Sequence, residues 1–240
     1  MVIRKAGSLL GRIFYQRCFY LFLVLMLFLC AAPFTEPTPI GHFIINCANA
    51  FIIVAAVASV GRTTTSCVVA VLFAAPALAY QWIAVVGGDP HAAAKAWGFS
   101  ALLYATTIAY LLDYVFRRDV MTTDKLFGAA SAYLLLGVFW GFLYALVDHV
   151  YSRSFALFGS PSPLVLFDFI YFSFTVLTST GFGDISPLSR QARGICVIEQ
   201  VVGALFLAIL IARLASAYRM SAKIREQAAR KKRRASPSED

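Results

Sequence analysis

Charge is what this chain has least of. Only 14% of its 240 residues are Asp, Glu, Lys or Arg, against roughly 25% in an ordinary soluble domain. With 60% of the residues hydrophobic, that scarcity excludes a soluble multidomain enzyme. The five cysteines (Cys18, Cys30, Cys47, Cys67, Cys196) are odd in number and scattered through apolar stretches. They suggest neither a disulfide framework nor a zinc site and are read as small core or lipid-facing residues. The three histidines are accompanied by no serine or carboxylate pair, so no catalytic residues are assigned and an intramembrane enzyme is set aside. Two related halves with broken helices, the usual mark of a secondary transporter, are also lacking.

What the chain has instead is apolar length. About 20 apolar residues cross a hydrocarbon core roughly 30 Å thick. Runs of that order lie at about 13–33, 43–60, 66–86, 96–116, 126–150 and 192–217, predicting an all-α integral membrane protein with six transmembrane helices. Lysine and arginine test this layout, because cytoplasmic loops carry the excess. All but four of the 21 fall on the side that holds both ends of the chain, the exceptions being Lys95, Arg153, Arg190 and Arg193. A multi-pass protein of the cell membrane with both termini cytoplasmic is therefore expected. The same layout accounts for the net charge of +9 without nucleic acid. The first run follows a basic stretch and precedes Ala31 and Ala32, as in a cleaved signal peptide, but its extension through Ile13, Phe14 and Tyr15 favours a membrane anchor.

Between the fifth and sixth runs lies a different kind of segment. Residues 162–187 read SPLVLFDFIYFSFTVLTSTGFGDISP. The apolar part, 164–179, is too short to cross and is followed at once by Gly181 and Gly183, so it is read as re-entrant. Non-helical backbone at membrane depth is tolerated only where it is buried in protein or lines a watery path. Two glycines at alternate positions give access to backbone conformations closed to other residues, and so let successive carbonyls turn the same way.

Thr178-Ser179-Thr180-Gly181-Phe182-Gly183-Asp184 resembles the filter of the potassium-channel pore family, usually written T-T-V-G-Y-G-D. Tyr171 and Phe172 stand where that family has an aromatic pair on its pore helix, Pro187 follows the filter Asp at the usual offset, and Gly203 falls at the usual inner-helix hinge. The resemblance covers about the last 120 residues; residues 1–121 carry no recognised motif. It implies a short six-helix prokaryotic type, with four chains around one pore and a passive flow of potassium. Carbonyls of Ser179, Thr180, Gly181 and Phe182, with the Ser179 hydroxyl at the inner end, would replace the hydration shell of K+, the only ion or cofactor implied. Thr178 and Gly183 complete the filter. A single chain supplies one wall, so a homotetramer follows. Asp168 near the start of the pore helix suits the positive end of its dipole, whose negative end favours a cation in the cavity.

Three filter positions depart from the family. Ser179 lacks the methyl that stiffens threonine, Thr180 adds a hydroxyl that needs a partner, and Phe182 lacks the phenol that anchors a filter to its aromatic surroundings. A weakly selective cation channel is the alternative they raise, and a helper subunit that does not conduct alone is another.

Other residues carry paired readings. Asp184 either forms a ring of four carboxylates at the outer mouth or pairs with Arg190 or Arg193 as a brace. Glu199, inside the last apolar run, either supports the filter with Tyr171 and Phe172 or acts as a gating carboxyl. Gly203 is a hinge or a point of close helix approach. Leu207, Ala208 and Ile211 are expected to line the cavity and an inner gate that closes by dewetting. His42, His91 and His149 fall near the outer face, as interfacial residues or as sites of external pH action.

Three domains are expected. Residues 1–121 form a four-helix part in the position of a voltage sensor but without its arginines, Asp113 pairing instead with Arg117 along one helix face. Residues 122–217 form the pore domain. Residues 218–240 form a basic cytoplasmic tail, which either binds anionic membrane lipid or anchors the topology.

Overall fold

The computed structural model describes residues 17–34, 39–60, 64–117, 122–158 and 164–235. Helix α1 spans Arg17–Ala31 and ends in a 3-10 turn, Ala32–Phe34. It is followed by α2 (Pro39–Val60), α3 (Thr64–Gly87), α4 (Pro90–Phe116) and α5 (Thr123–Val150). A strand β1 (Phe155–Leu157), a short helix α6 (Leu166–Leu177), a strand β2 (Ile185–Pro187) and a long helix α7 (Arg190–Ala235) complete the chain. Among the described residues, five stretches are long and apolar enough to cross a membrane: Arg17–Phe34, Thr64–Gly87, Pro90–Phe116, Thr123–Val150 and Arg190–Arg213. The expectation was six. The apolar part of α2, Phe43–Ser59, falls short over the described residues.

Local chemistry sets the helix starts. α4 begins six residues before its apolar run, because the Asp89 carboxylate accepts a bond from the His91 backbone N–H at 2.9 Å and Pro90 occupies the first turn. At α5 the Thr122 hydroxyl accepts from the Lys125 N–H at 3.4 Å. At α6 the Asp168 carboxylate reaches back to the Val165 N–H at 2.9 Å. Each carboxyl or hydroxyl satisfies a backbone donor that the helix itself leaves unpaired.

Helix α5 is the centre of the fold. α4 packs along it in the same chain, and α1 and α6 take other faces. α1 is held by Phe19 edge-on to Phe127, ring centres 4.9 Å apart, and by the Ser131 hydroxyl donating to the Cys18 carbonyl at 3.2 Å. Among the described residues of the four-helix part, the buried polar groups are neutral. Tyr104 donates to Asn49 at 2.6 Å, and Asn49 donates to Gln81 at 3.0 Å.

α6 seats against two glycines one turn apart on α5. A Cβ on Gly137 would lie 2.5 Å from the Phe174 ring, and one on Gly141 would lie 2.8 Å from the Ile170 Cα. Only bare backbone admits α6 at this distance.

The all-α expectation misses one element. β1 and β2 pair antiparallel, Phe155 opposite Pro187 and Leu157 opposite Ile185. Bonds from the Phe158 N–H to the Asp184 carbonyl and from the Leu188 N–H to the Ser154 carbonyl, both 2.7 Å, continue the ladder at its ends. Strands of three residues are too short to show an alternating pattern. Their effect is to clip the chain just after the glycine segment onto the segment that follows α5.

Candidate functional site

The site is built where α6 ends. Thr178 is still right-handed, with φ −87° and ψ 0°. Beyond it Ser179, Gly181 and Gly183 have φ of 56°, 58° and 82°, while Thr180 and Phe182 between them do not have positive φ. Positive φ at every second residue lets successive N–H groups turn to one side and carbonyls to the other. The N–H side faces the helix: Ser179 donates to the Val176 carbonyl at 2.9 Å, and Thr180 and Gly181 donate to the Thr175 carbonyl at 2.9 and 3.1 Å. Among the described residues, no carbonyl of 179–183 accepts a hydrogen bond. In the single chain residues 178–183 are all exposed. The arrangement is a row of unclaimed carbonyl oxygens held from behind by the C-terminus of α6.

The side chains around this row are also accounted for. The Thr180 hydroxyl bonds the Thr178 hydroxyl at 2.8 Å, and Thr178 donates to the Phe174 carbonyl at 2.7 Å. The aromatic pair divides its work. Phe172 is buried, 5.1 Å from the Tyr144 ring and 5.5 Å from the Phe155 ring. Tyr171 stacks on Phe182 with ring centres 6.3 Å apart and planes 3° from parallel, and its hydroxyl faces Asp184. Asp184 is half-buried, and among the described residues no ion pair joins it to Arg190 or Arg193. Arg193 donates instead to the Pro187 carbonyl at 3.2 Å.

Behind the row lies a buried polar junction of three helices. Glu199 of α7 is fully buried. Its carboxyl takes the Ser173 hydroxyl of α6 at 2.6 Å and the Tyr144 hydroxyl of α5. Ser173 Oγ is also 2.7 Å from the Gly137 carbonyl. Tyr144, Ser173 and Gly137 are absent from the sequence-derived candidates. A serine inside an apolar helix and glycines spaced by four were the available signals.

Gly203 lies against the last turn of α6, where an added Cβ would stand 2.5 Å from the Leu177 carbonyl oxygen. Here α7 runs unbroken through it, and through residue 218 where a domain boundary was expected. Leu207, Ala208 and Ile211 are exposed on the single chain, on an apolar surface that also carries Val197, Val201 and Leu205.

Residues 128–220 match a protein-family model described as an ion channel. The stretch takes in most of α5, then β1, α6, the carbonyl row, β2 and the membrane-crossing part of α7. No curated protein and no solved structure matches the chain. The match supports an ion-channel pore, a cation channel in general, and a channel in place of an enzyme. With the apolar helices it describes a multi-pass membrane protein.

At the other end of the pore segment, the Arg213 guanidinium donates to the carbonyls of Arg117 at 2.7 Å and Phe116 at 3.4 Å. The Lys125 ammonium reaches the same Arg117 carbonyl at 3.3 Å. Two cations thus meet the negative end of α4, a favourable placement. The Arg117 side chain itself pairs with Asp113 at 2.8 Å, both exposed, as the spacing led one to expect. His42 lies at a position whose side chain is outside the described residues.

Proposed function

We propose that this chain is one wall of a homotetrameric, potassium-selective channel with six crossings per chain and both termini cytoplasmic. The observation that carries the reading is the alternation of positive φ at 179, 181 and 183 with the unclaimed carbonyls that accompany it. Four such rows about one axis make a stack of oxygen rings, in which carbonyls of Ser179, Thr180, Gly181 and Phe182 and the Ser179 hydroxyl take the place of water around K+. Asp184 contributes a ring of carboxylates at the outer mouth and draws cations toward it. Leu207, Ala208 and Ile211 line the cavity and the inner gate, with Gly203 as the bending point. α2 supplies the sixth crossing.

The test is the reversal potential of the purified protein in planar bilayers under opposed potassium and sodium gradients. A value near the potassium equilibrium potential is expected. A value near zero with current present would replace this reading by a weakly selective cation pore, and absence of current under all voltages, pH values and lipids would favour a closed channel awaiting its stimulus or the helper subunit.

The four-helix part bears on gating. Besides three tyrosines, α4 carries only His91, Lys95 and Asp113 as titratable groups, and Asp113 is paired. One elementary charge moved across the membrane is worth about 2.3 kcal/mol per 100 mV, so a helix without movable charge gives little voltage dependence. Open probability is expected to change less than about threefold over 100 mV. Steep voltage-dependent opening would overturn this.

Arg213 fastens an unbroken α7 to the end of α4. Replacing it by Gln removes a charge-assisted bond that, half-exposed, is worth about 1 kcal/mol. Arg213→Gln is expected to raise resting open probability by roughly fivefold in single-channel records. No change would assign the contact a purely structural role.

A further inference from the structure

His91 and His149 meet in space. His91 sits in the first turn of α4 and is exposed, and His149 sits in the last turn of α5 and is half-buried. Their ring centres are 5.6 Å apart with planes at 88°. Trp97 flanks His149 edge-on at 6.4 Å. Both histidines stand on fixed backbone: the Asp89 cap holds the turn under His91, and the Tyr151 N–H closes the end of α5 onto the Val147 carbonyl at 2.8 Å.

We propose that this pair is a binding site for a divalent transition metal of the zinc and nickel class, joining the outer ends of α4 and α5. Imidazole nitrogen is a ligand such ions prefer, whereas K+, Mg2+ and Ca2+ take oxygen. With metal–nitrogen bonds of about 2.0–2.1 Å and ring centres about 1 Å further out, two imidazoles on one tetrahedral ion have centres roughly 5 Å apart. The observed separation is close to that, and the present edge-to-face packing becomes a chelating one by turning the exposed His91 ring.

The surroundings suit a bound dication. Asp89 and Asp148 are the acidic neighbours in sequence, each with its carboxylate accepting a backbone N–H, from His91 and from Ser154 at 3.0 Å. Lys95, one turn along α4, places its ammonium over the Tyr80 ring at 5.3 Å. Among the described residues no set of three or more His, Cys, Asp or Glu side chains forms a metal cluster. Water therefore completes the coordination, and the site is an open, exchangeable one. Such an ion would tie the four-helix part to α5 just before the clip that holds the far end of the carbonyl row.

The experiment is isothermal titration of NiCl2 or ZnCl2 into the full-length protein in detergent, purified without a histidine tag, with thermal unfolding followed in parallel. Wild type is expected to bind one equivalent per chain and to gain melting temperature. His91→Gln and His149→Gln are each expected to weaken that binding at least tenfold and to lose the gain, while His42→Gln behaves as wild type. Absence of binding to wild type, or binding unchanged in either the His91 or the His149 variant, overturns the proposal. The readout is binding and stability, so it stands apart from whether the channel selects potassium.

Discussion

Gly181→Ala is expected to abolish potassium-selective current while leaving the amount and assembly of the protein unchanged. Gly181 has φ 58°, and a side chain in the left-handed region costs about 1–2 kcal/mol. Among the described residues nothing lies within 4 Å of the added Cβ, so the penalty is conformational and is not a clash that would unfold the helices around it. The chain relieves the strain by rotating the peptide, and that turns a carbonyl out of the row. With four chains around one ring the strain recurs four times. The control is Gly194→Ala, inside α7, where φ is not positive and a Cβ also meets nothing within 4 Å. There alanine is a better helix former than glycine, and current is expected to persist. Selective current through the Gly181 variant would show that the backbone at 181 does not shape the ion path.

Glu199→Ala is expected to be the most damaging single change in the packing. It takes the carboxyl acceptor from the buried Tyr144 hydroxyl and one of two acceptors from Ser173, which keeps the Gly137 carbonyl at 2.7 Å; a buried hydroxyl left unsatisfied costs about 1–3 kcal/mol, before any cavity is counted. Since the three residues belong to α6, α5 and α7, the loss falls on the wall behind the carbonyl row. A fall of more than 10 °C in melting temperature in detergent, with no selective current, is the expected result. Glu199→Gln keeps the shape and one acceptor oxygen, so it should fall between alanine and wild type on both measures. An alanine variant as stable and as selective as wild type would remove the junction from the account of the pore.

How much of this was legible beforehand follows from the range of each interaction. Long apolar runs announce α1, α3, α4, α5 and α7, because hydropathy is a sum over many residues and tolerates exceptions. The turn at 178–184 was legible because glycines at 181 and 183 have few other uses at such spacing. Ser179 was harder, since nothing in its chemistry declares a φ of 56°. The start of α4 was placed late because Asp89, Pro90, His91 and Lys95 are polar or helix-breaking when read alone and become a capped first turn only together. Contacts between distant segments left no local trace. Glu199 stood out as a carboxyl inside an apolar run, but its partner Tyr144, and the contact of Arg213 with the end of α4, are unmarked until the fold sets them side by side. The pairing of Asp113 with Arg117 was accessible because both lie on one helix.

The 46 residues of α7 have a consequence for the basic cluster at its far end. At 1.5 Å per residue the helix is about 70 Å long, more than twice the hydrocarbon thickness. Its membrane-crossing part ends at Arg213, which leaves Arg230 about 25 Å further along the axis. At physiological ionic strength a charge is screened within about 8 Å. If α7 stands upright, residues 230–234 therefore lie about three screening lengths beyond the end of its membrane-crossing part. Over that distance attraction between a basic cluster and lipid headgroups is screened, so a helix of this length held upright carries its end out of the membrane's electrostatic reach.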